Sequence, residues 1–270
     1  MHHETDYVDK SQAGFLFVLE RIARSHPILY IFSRFIAKKI NIFEKEFDGL
    51  NNINFKKKVN LLDVGASDGV SINFFNSKLN LGNVIAVEPT KDYVKELKKL
   101  KIDNLKIHNF GLSNKNETKA VYVPEYTLFK KKFRLIPYTY YDKEHLEKVV
   151  KKNFFLCRTI KIVKIYLNLK KKIKINSSLD IIKLDVNGHE FEIIKSLNKI
   201  IQKDKPIIFV EELKKIHSIN IYLKKIGYKC MFYNIKKKRI EIFKFLNTKN
   251  KEIPLTFYFI PTKNKNFTIN

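Results

Sequence analysis

Three short, uninterrupted apolar runs constrain the fold of this chain more than any other feature of its sequence. They are LLDV at 61–64, IIKL at 181–184 and IIFV at 207–210. Strands that are buried on both faces are apolar along their whole length, and such strands occur in parallel sheets that helices cover. The sequence therefore predicts an α/β domain built from βαβ units.

The alternation of apolar runs with helical patterns predicts seven strands in a mostly parallel sheet. Helical segments such as KDYVKELKKLK, which has one apolar face, supply the crossovers between strands. No good helix separates the last two runs, and a lysine-rich connection at 236–239 joins them, so they are predicted to be antiparallel neighbours. The predicted strands lie in VNLLDVG, NVIAVEP, LKIHNFG, DIIKLDV, PIIFVEE, YKCMFYNI and TFYFIP.

The chain divides into a helical N-terminal extension, residues 1–55, and a main domain, residues 56–263, with an insertion at 121–174. Residues 14–40 predict two amphipathic helices on either side of Pro27, and they are too interrupted by charges for a membrane span of roughly 20 apolar residues. The helices form a lid packed on the main domain, or they make a peripheral membrane contact with basic residues toward lipid head groups. The second alternative suits a lipid-linked substrate.

Basic residues exceed acidic ones so strongly that the formal net charge is +26. Such a surplus attracts anionic partners such as nucleic acid or a membrane surface. Only six of the 53 basic residues are arginine, however, and codon bias in an AT-rich genome also produces a lysine-rich composition. The two cysteines, Cys157 and Cys230, form no metal-ligand spacing and no disulfide framework, which predicts a reducing, cytoplasmic location.

A glycine-containing corner, DVGASDG at 63–69, follows the first predicted strand. Ligands of parallel sheets bind at the carboxyl ends of the strands, where glycine allows a close approach of the backbone. The segment matches neither a phosphate-binding P-loop nor a three-glycine dinucleotide fingerprint. Its acids repel pyrophosphate but suit a sulfonium and an ammonium group, which favours S-adenosylmethionine. The predicted cofactor residues here are Asp63, Gly65, Ala66, Ser67, Asp68 and Gly69.

Two further strand ends complete the predicted cofactor site. Glu88 ends the second strand, where its carboxylate would accept hydrogen bonds from both ribose hydroxyls; the alternative is an ordinary helix-capping acid before Pro89. Asn109 and Phe110 end the third strand and are predicted to flank the adenine, unless Phe110 belongs to the core. The prediction is therefore a cofactor site that spans three neighbouring strands.

The stretch from Asn60 to Asn234 resembles the FkbM-type methyltransferase family. Six segments carry the resemblance in the family's order and spacing: LLDVGASDGVSINFF, GNVIAVEPTKDYVKEL, IHNFGLSN, DIIKLDVNGHEFEIIKSL, KPIIFVEEL and YLKKIGYK. The resemblance implies a Rossmann-like class I methyltransferase fold. It also implies S-adenosylmethionine as the methyl donor and O-methylation, commonly of sugars.

The same resemblance assigns roles to particular residues. It places cofactor binding on Asp63, Gly65, Gly69 and Glu88, and active-site positions on Asp185, Gly188 and Glu190. The family usually has an acid directly before the glycine at 188, whereas this chain has Asn187. No carboxylate stands at that position for catalysis or for a metal.

Candidate catalytic groups follow the fourth predicted strand. Methyl transfer needs the acceptor oxygen in line with the departing sulfur, and a base that takes the hydroxyl proton accelerates it. Asp185, His189 and Glu190 are predicted there. His189 has an ordinary pKa that suits a base, with a capping or packing role as the alternative, and Asp185 would orient the acceptor or hold the histidine. Together with Glu211 these acids also offer magnesium ligands, but no spacing requires a metal.

The insertion contains FRLIPYTYYDKEH, in which tyrosines follow basic residues. The tyrosines form an aromatic floor for a sugar ring, or they belong to an edge strand with one tyrosine face packed. The expected acceptor is a saccharide or glycoconjugate. A nucleic-acid acceptor is disfavoured, because DVNG at 185–188 lacks the Pro-Pro-aromatic turn of amino-methylating enzymes. A non-catalytic cofactor-binding module is the alternative from another class of protein.

Overall fold

The structure, a computed structural model, describes residues 25–40, 43–169, 173–211, 214–245, 254–264 and 266–269. Its helices are α1 (Pro27–Lys39), α2 (Val70–Lys78), α3 (Lys91–Leu97), α4 (Lys143–Asn153), α5 (Glu190–Ser196), α6 (Asn198–Asp204) and α7 (Ile216–Lys225). Its strands are β1 (Ile53–Phe55), β2 (Val59–Val64), β3 (Leu81–Val87), β4 (Leu105–His108), β5 (Thr118–Leu128), β6 (Lys131–Arg134), β7 (Lys161–Asn168), β8 (Ile181–Leu184), β9 (Ile207–Val210), β10 (Tyr228–Asn234), β11 (Arg239–Ile242), β12 (Phe257–Pro261) and β13 (Phe267–Ile269).

The central sheet in this part of the chain has the strand order β11-β10-β12-β9-β8-β2-β3-β4. The five strands from β9 to β4 pair in parallel, and β12 lies antiparallel to both of its neighbours. The chain leaves β2 toward β3 and β4 on one side and returns to β8 on the other. This reversal opens a crevice at the carboxyl ends of β2, β3 and β8. The predicted α/β, Rossmann-like architecture is confirmed.

The described part of the sheet contains one strand more than the seven predicted. The antiparallel pairing of β10 with β12 is as predicted, but the lysine-rich connection after Asn234 turns the chain into the additional edge strand β11. Ile240 of this strand packs against the core, and Glu241 is held by Arg239 and Lys237. Strand β11 has only four residues, and two of them, Arg239 and Ile242, are exposed. Its apolar signal is therefore too weak to be recognised in the sequence.

Two hydrophobic clusters cover the two faces of the central sheet. Successive residues of one strand belong to different clusters, as Leu61 and Leu62 do in β2 and Ile181 and Ile182 do in β8. All four side chains are fully buried. Burial on both faces is the physical reason for the uninterrupted apolar runs of these strands.

A second sheet, with the order β6-β5-β7, forms the insertion together with α4. A third, smaller core joins it to α1 and consists of Tyr30, Tyr126, Leu135 and Phe154. The ring of Tyr30 lies 5.3 Å from that of Tyr138 and 5.9 Å from that of Phe154. Helix α1 is therefore attached to the insertion.

The predicted helix pair around Pro27 is described only in part. Pro27 is the first residue of α1, and the preceding His26 accepts a hydrogen bond from the N–H of Ile28. Residues 14–24, which hold the other predicted helix, lie outside the described residues. Within the described segments, no helix is long and apolar enough to cross a membrane. The domain boundaries stay a prediction. Strand β1 belongs to the predicted extension, and it pairs with β13, which lies beyond the predicted end of the main domain at residue 263.

Neighbouring phenylalanines provide a test of the third core. Phe154→Ala removes a ring that is 1% exposed and contacts Tyr30 and Tyr138. We expect it to lower the free energy of unfolding of the insertion by about 3 kcal/mol. Phe155→Ala, at a side chain that is 57% exposed, should change it by no more than about 0.5 kcal/mol. Hydrogen exchange of the β5–β7 amides would measure both, and equal effects of the two variants would contradict this core.

Candidate functional site

The glycines of the corner after β2 make close contacts with the protein itself. Gly65 has a φ of +81°, and a Cβ at this position would lie 1.8 Å from the backbone oxygen of Asp185. Gly69 has a φ of +83°, and a Cβ there would lie 2.5 Å from the side chain of Leu100 and 3.0 Å from that of Leu97. The glycines therefore bring the end of β2 against the end of β8 and seat the start of α2 on α3.

A cavity opens at the carboxyl ends of β2, β3 and β8. All the predicted cofactor residues are described, and those that line this cavity are Gly65, Ala66, Ser67, Glu88 and Phe110. Asp63, Asp68, Gly69 and Asn109 lie outside its wall. Asn109 instead donates hydrogen bonds to the backbone oxygens of Glu88 and Pro89, which ties the ends of β3 and β4 together.

Glu88 places a buried carboxylate on the wall of the cavity. Its Oε2 accepts a hydrogen bond of 3.0 Å from the N–H of Ser67, and its Oε1 accepts one of 2.8 Å from the N–H of Thr90. Burial raises the pKa of Glu88 to about 7, although these hydrogen bonds act in the opposite direction. A carboxylate accepts about four hydrogen bonds, so both oxygens retain capacity for a ligand. The side chain thus caps the turn before α3 and faces the cavity.

The two acids of the corner have basic partners within the protein. Asp63 is fully buried, accepts a hydrogen bond of 2.6 Å from Ser71 Oγ and lies 3.8 Å from Lys183 Nζ. Asp68 accepts two hydrogen bonds, of 3.1 and 2.7 Å, from the guanidinium of Arg34 in α1. The surplus negative charge of this corner is therefore smaller than the sequence indicates. Arg34 also lines the cavity, so α1 closes one side of it.

Lys183 is the centre of a buried charged cluster where three strands end. Its Nζ lies 3.4 Å from Asp185 Oδ2 and 3.7 Å from Glu211 Oε1, in addition to its contact with Asp63. Burial alone would lower the pKa of Lys183, but these carboxylates raise it above its ordinary value. Burial, and then Asp185, raise the pKa of Glu211 well above its ordinary value. Sequence reasoning missed Lys183 as a residue of the site. A lysine inside an apolar strand is nevertheless a signal that carboxylate partners surround it.

Asp185 and Glu190, both predicted in the active site, have different surroundings. Asp185 lines the cavity, and 36% of its side chain is exposed. Glu190 is completely buried, and its carboxylate accepts hydrogen bonds from the N–H groups of Val186 and Gly188 at 2.9 Å each. Glu190 thus clamps the turn that follows β8. Among the described residues, no three histidine, cysteine or acidic side chains converge on a metal site.

His189 lines the cavity with both ring nitrogens engaged. Its Nδ1 lies 3.3 Å from Lys119 Nζ, and its Nε2 lies 3.2 Å from Ser113 Oγ. An ammonium group only donates, which assigns the proton of the neutral ring to Nε2 and makes Nδ1 the acceptor. Burial, followed by Lys119, lowers the pKa of His189. The imidazole is therefore neutral at physiological pH, and its ring lies 5.6 Å from that of Tyr141.

The insertion contributes to the wall of the cavity, and its tyrosines lie in different surroundings. Tyr141 lines the cavity together with Thr139. Tyr138 packs in the third core, and Tyr140 pairs with β5 through its backbone. Arg134 is bound to Glu125 at 3.1 Å. The three tyrosines therefore have different surroundings, and Tyr141 is the one on the cavity wall.

The raised pKa of Glu88 predicts a pH-dependent stability. The folded state holds the proton of Glu88 up to about pH 7, whereas the unfolded chain releases it near pH 4.5, so Glu88 destabilises the fold as pH rises through this window. Glu88→Gln removes that loss. We expect its free energy of unfolding, relative to the wild type, to rise by about 2 kcal/mol between pH 5 and pH 8 in urea titrations. Glu96→Gln, at a side chain that is 41% exposed, is the control; the same slope in both variants would contradict the assignment.

Several solved structures are similar to this chain at low sequence identity. The FkbM methyltransferase from Methylobacillus flagellatus KT shares 13% identity with a TM-score of 0.42, over 75% of this chain and 43% of that chain. Precorrin-6y C5,15-methyltransferase from Geobacter metallireducens GS-15 shares 15% with a TM-score of 0.35, over 80% and 83%. The plantazolicin methyltransferase BpumL in complex with SAH shares 12% with a TM-score of 0.40, over 90% and 96%. The chain spans less than half the length of the first of these proteins.

The family comparison covers the region that builds the cavity. A model of the methyltransferase FkbM domain matches residues 63–230, from the corner after β2 to β10. None of the curated proteins compared with the chain matches it. Because the matched region is more than half of the 270 residues, this chain belongs to the FkbM methyltransferase family.

Proposed function

We propose that this protein transfers a methyl group from S-adenosylmethionine to a hydroxyl of a saccharide or glycoconjugate in the cytoplasm. One observation carries the proposal: Glu88 and the glycine corner line the same cavity as Asp185, His189 and Tyr141. The first group suits the cofactor, and the second lies where an acceptor would meet the methyl group. The sugar acceptor is what the sequence resemblance implies, and an aromatic side chain on the wall suits a sugar ring.

In this proposal the corner holds the cofactor through its buried polar atoms. Glu88 accepts hydrogen bonds from the ribose hydroxyls with the capacity that Ser67 and Thr90 leave unused. Ser67 Oγ is buried and has no hydrogen-bond partner among the described residues, so it is available to the amino-acid end of the cofactor. Phe110 contacts the adenine. Asp63, bonded to Ser71, and Asp68, bonded to Arg34, position the corner from behind rather than touch the ligand.

Asp185 is the group that receives the acceptor proton. Its carboxylate is on the cavity wall and partly exposed, and Lys183 holds Oδ2 at 3.4 Å, which fixes its orientation. The acceptor oxygen would displace the donor sulfur from the methyl carbon, so that S-adenosylhomocysteine is the leaving group, and the hydroxyl proton would pass to this carboxylate. A base placed in this way accelerates a reaction by about 10²- to 10⁴-fold.

His189 forms part of the cavity wall beside the acceptor instead of acting as the base. Proton abstraction needs an accessible lone pair, and the Nδ1 lone pair of His189 already faces the ammonium of Lys119. A cation at that distance also lowers the basicity of the ring. Glu190 is excluded from proton transfer in this proposal because both of its oxygens bind backbone N–H groups.

Loss of the proposed base has a defined kinetic outcome. We expect Asp185→Asn to lower kcat by about 10²- to 10⁴-fold while binding of S-adenosylhomocysteine stays within about threefold of the wild type. His189→Gln should lose less than about tenfold, and Asp92→Asn, at an exposed aspartate of α3, should lose nothing. Transfer of labelled methyl groups to glycan fractions and to RNA measures these rates. Labelling of RNA alone, or full activity of Asp185→Asn, would contradict the proposal.

The ribose assignment is tested by binding alone. Hydrogen bonds to a charged group contribute about 1.5 to 3 kcal/mol, so Glu88→Ala should weaken binding of S-adenosylhomocysteine by at least about tenfold in calorimetry at pH 8. Glu96→Ala, at a side chain of α3 that is 41% exposed, is the matched control and should bind as the wild type does. Equal affinities of Glu88→Ala and the wild type would remove Glu88 from the cofactor site.

A further inference from the structure

Helix α1 turns its apolar side to solvent and its polar side to the protein. Toward the protein, Tyr30 packs in the third core, and Arg34 binds Asp68. Toward solvent, the exposed side chains are Ile28, Leu29, Ile31, Phe32, Phe35, Ile36 and Ile40, each at least 39% exposed. A helix that served only as a lid would bury its apolar side, so this arrangement is the reverse of the ordinary one.

Two more segments with exposed apolar side chains meet α1 at the third core. The turn between β5 and β6 carries Phe129, which is 88% exposed, directly after Leu128, which packs against the core. The link between α4 and β7 carries Phe155 and Leu156, directly after the buried Phe154. Most of the large exposed apolar side chains in the described part of the chain belong to these three segments. Large exposed apolar patches mark interaction surfaces.

Exposed basic residues adjoin the apolar side chains in both segments of the insertion. Lys130, Lys131 and Lys132 follow Phe129, Lys151 lies in the last turn of α4, and Arg158 lies in the link itself. An apolar surface with a cationic border matches a bilayer that contains anionic lipids, because acyl chains receive the apolar side chains and head groups receive the charges.

We propose that this docking surface, formed by the outer side of α1 with Phe129, Phe155 and Leu156, holds the protein on the surface of an anionic lipid bilayer. The helix lies in the interface rather than across the membrane. The inner side of the same helix carries Arg34, which lines the cavity, so docking brings the cavity close to the lipid head groups. The docking needs neither cofactor nor acceptor and is therefore independent of the proposed function.

The absence of tryptophan from the sequence provides a direct test. In the full-length chain, Phe32→Trp places a single indole on the docking surface. We expect its emission to shift to the blue, and brominated lipids to quench it, when vesicles of phosphatidylcholine and phosphatidylglycerol are added. Pure phosphatidylcholine vesicles should produce a much weaker response, and added salt should weaken binding to the anionic vesicles. An emission spectrum unchanged by anionic vesicles would overturn the proposal.

Vesicle sedimentation with apolar-to-polar variants provides a second test of lipid docking. Phe32→Gln combined with Phe35→Gln should lower the partition coefficient by at least about tenfold, since two exposed rings no longer enter the lipid. Ile242→Gln, at a 54% exposed side chain on the edge strand β11, should leave it unchanged. Circular dichroism verifies that each variant is folded. If the double variant instead dissociates a dimer in sedimentation velocity and binds vesicles like the wild type, the surface belongs to a second copy and the proposal fails.

Discussion

The buried ammonium of Lys183 is the interaction on which the geometry of the site depends. It holds carboxylates from the ends of three adjacent strands, Asp63 from β2, Asp185 after β8 and Glu211 after β9. Removing the lysine from such a buried cluster costs about 3 to 5 kcal/mol, because it leaves the carboxylates without a counter-charge. The cluster therefore fixes where the strands end relative to one another, and the cavity opens directly above those ends.

Backbone contacts extend this constraint to the glycine corner after β2. The N–H of Asp185 donates a hydrogen bond to the oxygen of Val64, and the absence of a Cβ at Gly65 lets the two strands meet at this point. From there the chain turns so that the N–H of Ser67 reaches the carboxylate of Glu88 on the next strand. Most of the acids in the site thus hold the protein together. Glu88 also stabilises the fold, but unlike Asp63 and Asp68 it lines the cavity as well.

The sequence predicted the parts of this fold that depend on neighbouring residues and failed where distant residues meet. Uninterrupted apolar runs revealed the parallel strands because both faces of β2, β8 and β9 are buried. The glycine corner and the acid at the end of β3 were likewise visible. The cation partners of Asp63 and Asp68 were not, since Lys183 and Arg34 lie far away along the chain. An argument from the sign of the charge counted these carboxylates as free, whereas the fold compensates both.

The N-terminal helix shows how one element connects the cavity with the surface of the protein. Tyr30 fixes α1 to the insertion, and one turn later Arg34 fixes it to the glycine corner through Asp68. Both anchors lie on the inner side, so the outer side is left without a role in the packing of the described residues. Large apolar side chains at such a position are costly in water, because each leaves apolar area exposed that folding would otherwise bury. An external apolar environment removes that cost, and it would act on the same helix that borders the cavity.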